Sequence, residues 1–187
     1  MLKRSFDFFM AGIFMILCWP LLLFVAILVK VDSKGPVFFT QRRIGKGDKE
    51  FLMYKFRTMA LGTPEVATDQ LTNSAQYITG VGYYLRKFSI DELPQLINIL
   101  KGDMSIVGPR PALYNQHDLR WERNKRGLSE LTPGLTGWAQ VNGRDDISLE
   151  DKVRLDAEYL TNKSFLFDLR IIGMTMFHVA EGSGERR

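Results

Sequence analysis

The sequence is poor in residues that cross-link small secreted proteins or bind zinc. Cys18 is the single cysteine, which excludes an intramolecular disulfide. Its position inside an apolar run is typical of a small hydrophobic residue. The two histidines, His117 and His178, are far apart in the chain and lack the spacing of metal ligands, so a zinc site is not expected.

Signatures of several common enzyme classes are absent as well. The chain has no GxxxxGKS/T, GxGxxG, GxSxG or HExxH motif. The sequence therefore offers no support for a P-loop nucleotidase, a dinucleotide-binding enzyme, a serine hydrolase or a zinc metalloprotease. No repeat or low-complexity segment interrupts the 187 residues, a length that fits one domain with a substantial core.

The charge indicates an anionic partner. The formal net charge is +4 and the isoelectric point is near 9.2, which suits nucleic acid, an anionic membrane surface or a phosphorylated small molecule. Nucleic acid is not expected, because the charge is modest, no recognised binding motif is present and the apolar run described next would be unexplained.

Charged residues are absent from Phe8 to Val29. This run of about 22 residues is long enough to cross a bilayer core as a helix. A signal peptide is disfavoured, because the apolar part is too long and no small-residue cleavage site follows. The run predicts a membrane element.

Pro20 lies near the middle of this run and favours a kink. Cations flank both ends, Lys3 and Arg4 before the run and Lys30 and Lys34 after it, so the positive-inside rule gives no orientation. From the residues alone, a straight span and a helix that bends at Pro20 and returns to the same face are equally compatible.

Two β-type stretches, "VFFTQRRIG" and "FLMYKFRTM", are separated by the turn-forming "GKGD" and predict a hairpin. The hairpin carries five polar or basic residues that could bind a ligand: Gln41, Arg42, Arg43, Lys55 and Arg57. Plain exposed charges on a hairpin face are the alternative. Residues 60–80 are polar and weakly periodic, which predicts a loop or short helices.

The stretch "SIDELPQL" precedes an apolar stripe typical of an amphipathic helix, formed by Leu93, Leu96, Ile97 and Leu100. Ser89 and Glu92 match a capping box. Pro94 favours a register with Asp91 as the N-cap, because proline is tolerated in the first helical turn. The Asp91–Glu92 pair is interpreted either as a helix cap or as a reaction centre.

Two loops follow. In "GPRPAL", Gly108, Pro109 and Pro111 predict a rigid turn around Arg110, whose planar guanidinium suits phosphate. The glycine-rich "LTPGLTGWAQVNGR" ends in Arg144 and is interpreted as a second loop. Both could also be ordinary surface connections.

Two helices are expected after these loops. Residues 148–162 are predicted to be helical. "FLFDLRIIGMTMFHVA" is interpreted as a core helix, with a helix in the membrane interface as the alternative.

The segments "FTQRRIG", "YKFRTM", "LRKFSIDELPQLINILKGDMSIVGPRP" and "LTPGLTGWAQVNGR" resemble, in order, the bacterial sugar transferase family, the monotopic phosphoglycosyl transferases. The resemblance implies an α+β fold: a small, mostly helical, membrane-attached domain with a short β-hairpin and an N-terminal re-entrant helix broken at Pro20. Residues 1–34 would form the membrane helix and 35–187 the catalytic domain, as one functional unit. The length resembles the minimal members of the family.

The resemblance also implies a reaction. These enzymes move a phospho-sugar from a UDP-sugar to a polyprenyl (undecaprenyl) phosphate, release UMP and so initiate a polysaccharide or glycoprotein glycan. Asp91 would be the nucleophile that forms a covalent phospho-sugar intermediate. Glu92 would assist through Mg²⁺ or proton handling, and both carboxylates are the expected Mg²⁺ ligands. A catalytically inactive, membrane-attached binding or scaffold protein is the alternative.

Further residues match basic or polar family positions and are expected to bind substrate: Lys55, Arg86, Arg110, Gln140, Arg144, Gln41 and Arg42. Membrane lipids are expected partners, and the protein is expected at the bacterial inner membrane with its catalytic domain facing the cytoplasm. Trp19 departs from the small polar residue common before this proline. The sugar, the glycan pathway and the choice between monomer and homodimer stay open.

Overall fold

The computed structural model describes residues 2–64, 74–143 and 147–181. Over these ranges the chain forms seven α-helices and four strands, so the predicted mostly helical α+β class is confirmed. The elements are α1 (Leu2–Asp32), β1 (Phe38–Ile44), β2 (Glu50–Phe56), α2 (Gly80–Lys87), α3 (Leu96–Lys101), β3 (Ser105–Val107), α4 (His117–Lys125), β4 (Gly134–Thr136), α5 (Trp138–Asn142), α6 (Leu149–Asn162) and α7 (Phe165–Ala180). The predicted site residue Arg144 and much of the predicted loop at 60–80 lie outside the described residues.

The predicted hairpin is confirmed. β1 and β2 pair antiparallel, with Gln41 opposite Met53. A 3₁₀ turn at Lys46–Asp48 connects them, and Gly47 has φ +65° in this turn, a conformation that glycine adopts without steric cost. Met53 and Phe56 are buried, so β2 contributes its apolar face to the core.

The glycine-rich segment contains more regular structure than expected, whereas residues 108–112 form no helix or strand, as predicted. β3 and β4 pair in parallel, and α5 follows within the glycine-rich segment, so its interpretation as a plain loop is wrong. The backbones approach so closely that a Cβ on Gly108 would lie 2.2 Å from the carbonyl oxygen of Thr132. Gly108 is therefore needed for close packing of the two backbones. From the sequence alone, a glycine with this role cannot be distinguished from one in a flexible loop.

The predicted cap at "SIDELPQL" is wrong in both registers. Residues Ile90–Gln95 form a 3₁₀ helix that leads into α3. Ser89 precedes it in the left-handed conformation, φ +54°, and makes no side-chain cap hydrogen bond. The Glu92 side chain binds cations from other segments, described below, instead of returning to Ser89. The Glu92 carboxylate is therefore engaged in contacts with distant residues and does not cap the helix.

α1 lies along the rest of the molecule through one stripe of its surface. Four α1 residues, near its two ends, are buried: Asp7, Ala11, Val25 and Val29. Ala11 packs with Leu96 and Ile99 of α3, and Met15 packs against the same cluster. Most large apolar side chains of α1 are exposed, Pro20 lies inside the helix, and α1 is long and apolar enough to cross a membrane.

Polar contacts join both ends of α1 to the same body of the protein. Near its start, the Asp7 carboxylate accepts hydrogen bonds from the Ser105 hydroxyl, 2.8 Å, and the Ile106 amide, 3.2 Å. At its end, Asp32 accepts from the Val81 amide at 3.0 Å and so satisfies a free N–H group at the start of α2. Both ends of α1 therefore contact the domain formed by the rest of the chain.

The last two helices agree with the sequence in position. α6 begins after Ser148, whose hydroxyl accepts from the Asp151 amide. α7 buries Asp168 and Ile171, but its opposite face exposes large apolar side chains: Phe165, Leu166, Leu169, Met176 and Phe177. The preferred interpretation as a core helix therefore holds for one face.

Candidate active site

Three predicted residues from distant segments meet at one carboxylate oxygen. The Lys55 ammonium on β2 donates to Oε1 of Glu92 at 2.7 Å, and the Arg110 guanidinium donates to the same oxygen at 3.1 Å. Asp91 precedes Glu92 in the 3₁₀ helix and is 5% exposed. The structure thus brings the predicted carboxylate pair together with two of the predicted basic residues.

Asn98 fixes the position of this 3₁₀ helix against β2. Its side-chain oxygen accepts from the Tyr54 amide at 3.1 Å, and its side-chain nitrogen donates to the Leu52 carbonyl at 2.7 Å. Asn98 is fully buried and pairs the free backbone groups of β2 as another strand would. Sequence reasoning missed this residue, because an asparagine within an apolar helical stripe gives no signal of its partner.

The charges around Glu92 keep it ionised. Burial acts to raise the pKa of Glu92, but the Lys55 ammonium and the Arg110 guanidinium outweigh burial and hold this pKa well below its usual value. Glu92 is therefore a carboxylate at neutral pH. Two cations face one anion, so the three side chains carry a net positive charge that suits a phosphate group.

Arg86 is connected to the site through the backbone. It lies in the last turn of α2 and is buried, and its carbonyl oxygen accepts from the Ser89 amide at 3.1 Å. The α2 helix begins at Thr79, whose hydroxyl accepts from the Gly82 amide. α2 therefore leads directly into the turn that carries Asp91 and Glu92.

Gln41 and Arg42 are positioned differently from the other predicted binding residues. The Gln41 side-chain oxygen accepts two hydrogen bonds from Arg43, at 3.1 and 2.7 Å. The Arg42 side chain is 57% exposed, and its guanidinium lies 4.3 Å from the centre of the Tyr114 ring. Within the described part of the chain, neither side chain hydrogen-bonds to Glu92.

Gln140 has one satisfied and one unsatisfied polar group. It lies on α5, and its nitrogen donates to the Leu135 carbonyl at 3.2 Å. Its oxygen is buried and has no hydrogen-bond partner among the described residues. Gln140 therefore keeps an acceptor available, in agreement with its candidate binding role but without a contact that assigns it.

Arg57 has a structural role that the hairpin pattern did not reveal. It follows β2, is 5% exposed, and donates to the Ser33 carbonyl at 2.7 Å. A cation at the carboxyl end of α1 also interacts favourably with the helix dipole. The alternative interpretation of Arg57 as a plain exposed charge is therefore wrong.

An open cleft lies beside Arg110. It is bordered by the Pro109–Ala112 loop, by the end of β1 at Ile44 and Gly45, and by Arg120 and Arg123 of α4. Arg120 pairs with Asp48 at 2.7 Å. The cleft gives the Arg110 loop a solvent-accessible side.

Metal ligands are sparse around this site. Across residues 2–64, 74–143 and 147–181, no group of three or more histidine, cysteine, aspartate or glutamate side chains could hold a metal ion. Any Mg²⁺ bound at Asp91 and Glu92 would need further ligands from water or substrate, which is common for this ion.

Comparison with known proteins identifies the family. The model of the bacterial sugar transferase family matches residues 1–182. The chain belongs to the bacterial sugar transferase family. The match includes both ends of α1 and all the carboxylates and cations of the site that the structure describes.

Relatives within the family differ in length. The Bacillus subtilis uncharacterized sugar transferase EpsL is 45% identical over 98% of this chain and 89% of its own length. The exopolysaccharide production protein ExoY of Rhizobium meliloti is 40% identical over 94% of this chain and 84% of its own.

A UDP-glucose:undecaprenyl-phosphate glucose-1-phosphate transferase of Xanthomonas campestris is 42% identical over 95% of this chain. The match spans 38% of that protein. This bacterial sugar transferase therefore corresponds to about two fifths of the Xanthomonas enzyme and to most of EpsL and ExoY.

Proposed function

We propose that this protein transfers a sugar phosphate from a UDP-sugar to undecaprenyl phosphate and releases UMP, as a first step in assembling a polysaccharide or another glycan. Family membership and the activity in the name of the Xanthomonas relative support this reaction. The observation that carries the proposal is the buried Asp91 beside a Glu92 that is paired with Lys55 and Arg110.

Asp91 is the proposed nucleophile. One of its carboxylate oxygens attacks the β-phosphorus of the UDP-sugar, a P–O bond to the leaving UMP breaks, and an aspartyl phospho-sugar forms. An oxygen of undecaprenyl phosphate then attacks the same phosphorus and releases the Asp91 carboxylate. Splitting one displacement into two is a common advantage of covalent catalysis.

Lys55 and Arg110 are the proposed phosphate-binding cations. A carboxylate approaching a negatively charged diphosphate is repelled unless nearby cations offset the charge of the phosphoryl group. Glu92 keeps both cations in one place before the substrate arrives. The negative charge of Glu92 offsets the electrostatic repulsion between the partly buried Lys55 and Arg110 side chains.

Mg²⁺ is the proposed cofactor, and the donor set fits it. Two adjacent carboxylates, Asp91 and Glu92, are hard oxygen ligands, and Mg²⁺ commonly takes one or two carboxylates together with substrate phosphates and water. When bound, the ion would neutralise charge on the diphosphate. Lys55 and Arg110 would supply the remaining fixed positive charge.

Attachment at the cytoplasmic face of the inner membrane is part of the proposal. Asp7 and Asp32, near opposite ends of α1, both bind the same body. This favours a helix that enters the membrane from one side, bends at Pro20 and returns. The exposed apolar surface of α1 would contact lipid, where undecaprenyl phosphate resides.

UMP release tests the proposal directly. The full chain in lipid nanodiscs is incubated with undecaprenyl phosphate, Mg²⁺ and, in turn, UDP-glucose, UDP-galactose and UDP-N-acetylhexosamines. Multiple-turnover release that requires both substrates and is lost in Asp91→Asn is expected. The matched control is Asp118→Asn, at an exposed position on α4, which should keep the wild-type rate. No release with any donor would contradict the proposed function.

A further inference from the structure

The loop from Pro109 to Ala112 is held by its carbonyl oxygens. Its two prolines have no N–H group, so this backbone cannot form a regular hydrogen-bond ladder. Four successive carbonyl oxygens instead each accept a hydrogen bond of 2.9 Å: Pro109 from the Gly134 amide, Arg110 from Arg123, Pro111 from Arg43, and Ala112 from the Ile44 amide.

Two of these four donors are guanidinium groups held in the same way. Arg123 places Nε and Nη2 on one carboxylate oxygen of Asp156, at 3.0 and 2.6 Å. Arg43 places Nε and Nη2 on the side-chain oxygen of Gln41, at 3.1 and 2.7 Å. In both residues Nη1 is the nitrogen that reaches the loop.

We propose that Arg123 and Arg43 are positioning residues that fix the Pro109–Ala112 loop and thereby hold the Arg110 guanidinium against Glu92. For catalysis this rests on the proposed function, in which Arg110 binds the substrate diphosphate. The two arginines act through the loop backbone, while Arg110 contacts Glu92 at 3.1 Å.

The two contacts, Arg123 to the Arg110 carbonyl and Arg43 to the Pro111 carbonyl, are together called the clamp. Its geometry requires arginine. A guanidinium presents several donors in a rigid plane, so it can bind an orienting acceptor and a loop carbonyl together. A lysine ammonium is a compact charge without this fixed fork. Lysine at position 123 or 43 would therefore keep the charge and lose the simultaneous contacts.

The Arg123–Asp156 pair is better suited to positioning than to stability. The side chains of Arg123 and Asp156 are 12% and 1% exposed. Burial raises the pKa of Asp156 above its usual value, although Arg123 acts in the opposite direction. Ionised Asp156 thus costs free energy in the folded protein, as buried ion pairs often do, while its geometry fixes Arg123.

This arrangement gives Gln41 a different role from the one implied by the family resemblance. Its side-chain oxygen already accepts two hydrogen bonds from Arg43. The geometry assigns it to orienting Arg43 rather than to contacting substrate. Gln41→Glu should retain the acceptor and most of the activity, whereas Gln41→Leu should act like Arg43→Lys.

Amide hydrogen exchange tests the clamp without reference to activity. The full chain in nanodiscs is compared with Arg123→Lys, Arg43→Lys and the control Arg120→Lys. Arg120 has the same fork, with Nε and Nη2 on the Asp48 carboxylate, but its Nη1 donates to the Tyr114 carbonyl beyond the loop. Exchange of the Ile44 and Gly134 amides, which donate to the Ala112 and Pro109 carbonyls of the loop, should rise about tenfold in the first two variants and stay unchanged in the control.

A double-mutant cycle tests the consequence for catalysis. Arg123→Lys should lower kcat/KM for UMP release about 100-fold, since small displacements of a catalytic group have effects of this size. In an Arg110→Lys background the same change should cost less than about threefold, because the group being positioned is already altered.

Two results would overturn the clamp. One is exchange of the Ile44 and Gly134 amides that stays at the wild-type level in Arg123→Lys and Arg43→Lys, or rises equally in Arg120→Lys. The other is an undiminished effect of Arg123→Lys in the Arg110→Lys background. If wild-type protein releases no UMP from any donor, the proposed function fails, and the exchange experiment still decides whether the clamp exists.

Discussion

α3 contacts α1 mainly through apolar side chains, and it contacts β2 through both apolar and polar groups. Leu96 and Ile99 pack with Ala11 of α1 and Met53 of β2 in one apolar cluster. Towards β2, Asn98 makes hydrogen bonds and the preceding turn places Glu92 between two cations. Apolar packing is non-directional and roughly proportional to buried area, whereas a buried polar group that loses its partner costs a discrete amount.

The apolar contacts attach α1 to the domain, whereas the polar contacts position the proposed catalytic groups. The α1 side can tolerate changes of similar size and shape, because neighbouring side chains repack. The β2 side depends on single atoms, such as the Glu92 oxygen shared by Lys55 and Arg110. Mutations of the polar contacts should therefore lower stability and activity more than mutations of the apolar contacts. The following predictions test that difference.

The largest effect is expected at Glu92. Glu92→Gln removes the anion that Lys55 and Arg110 share and leaves two half-buried cations facing each other. We expect a loss of about 3–5 kcal/mol in the free energy of unfolding and a fall of about 100-fold or more in kcat/KM. Denaturant unfolding and UMP release measure the two effects.

Glu150→Gln is the control for this prediction. Glu150 is exposed in the first turn of α6, where loss of the charge should cost less than about 1 kcal/mol. Equal losses in Glu92→Gln and Glu150→Gln would contradict the special role of the β2 side.

A smaller effect on stability is expected at Asn98. Asn98→Ala leaves the Tyr54 amide and the Leu52 carbonyl without their partner, at a cost of about 2–4 kcal/mol. Thermal unfolding in nanodiscs compares it with Asn162→Ala, at an exposed position on α6, which should change stability by less than about 0.5 kcal/mol. A near-neutral Asn98→Ala would show that β2 does not depend on this residue.

The apolar packing of α1 elsewhere on the domain should respond more gradually, as Val29, which packs with Val25, Phe56 and Leu85, can show. Val29 is 2% exposed and Val31 is 81% exposed on the same helix. Val29→Ala should lower the free energy of unfolding by about 2 kcal/mol through lost packing, and Val31→Ala should leave it unchanged. Thermal unfolding distinguishes them, and equal shifts in the two variants would argue against the buried stripe of α1.

The smallest effect is expected from moderate acid. Because the folded-state pKa of Glu92 is lowered, its ionised form stabilises the fold fully above the unfolded-state pKa of about 4.3. This contribution is lost as the pH falls from there towards the lower folded-state pKa. The stability difference between wild type and Glu92→Gln should be constant from pH 8 to about 5 and shrink below about 4.

Stability profiles of wild type and Glu92→Gln from pH 8 to 3.5 check this. A difference that stays constant or grows as the pH falls from 5 to 3.5 would mean that the pKa of Glu92 is not lowered.

Elements with a strong local pattern could be predicted from the sequence. The apolar run of α1, the β-type residues of the hairpin and the helical pattern of residues 148–162 all depend on neighbouring residues in the chain. Lys55, Glu92 and Arg110 are candidates from their residue types and from the family resemblance, but their meeting at one oxygen depends on the fold.

The errors arose where distant contacts override local preference. The side chain of Glu92 could cap a helix, but Lys55 and Arg110 bind it instead. Gly108 and Gly134 could belong to flexible loops, but they allow β3 and β4 to approach closely. Arg123 and Asp156 gave no signal, because their spacing along the chain does not indicate that one positions a distant loop carbonyl.

Intact-protein mass spectrometry tests the nucleophilic role of Asp91 most directly. The full chain is incubated with Mg²⁺ and a UDP-sugar that supports UMP release, in the absence of undecaprenyl phosphate. We predict a mass increase of one phospho-sugar, its disappearance when undecaprenyl phosphate is added, and its absence in Asp91→Asn. A donor-dependent adduct that persists in Asp91→Asn, or steady UMP release without any adduct on the wild-type protein, would contradict the account.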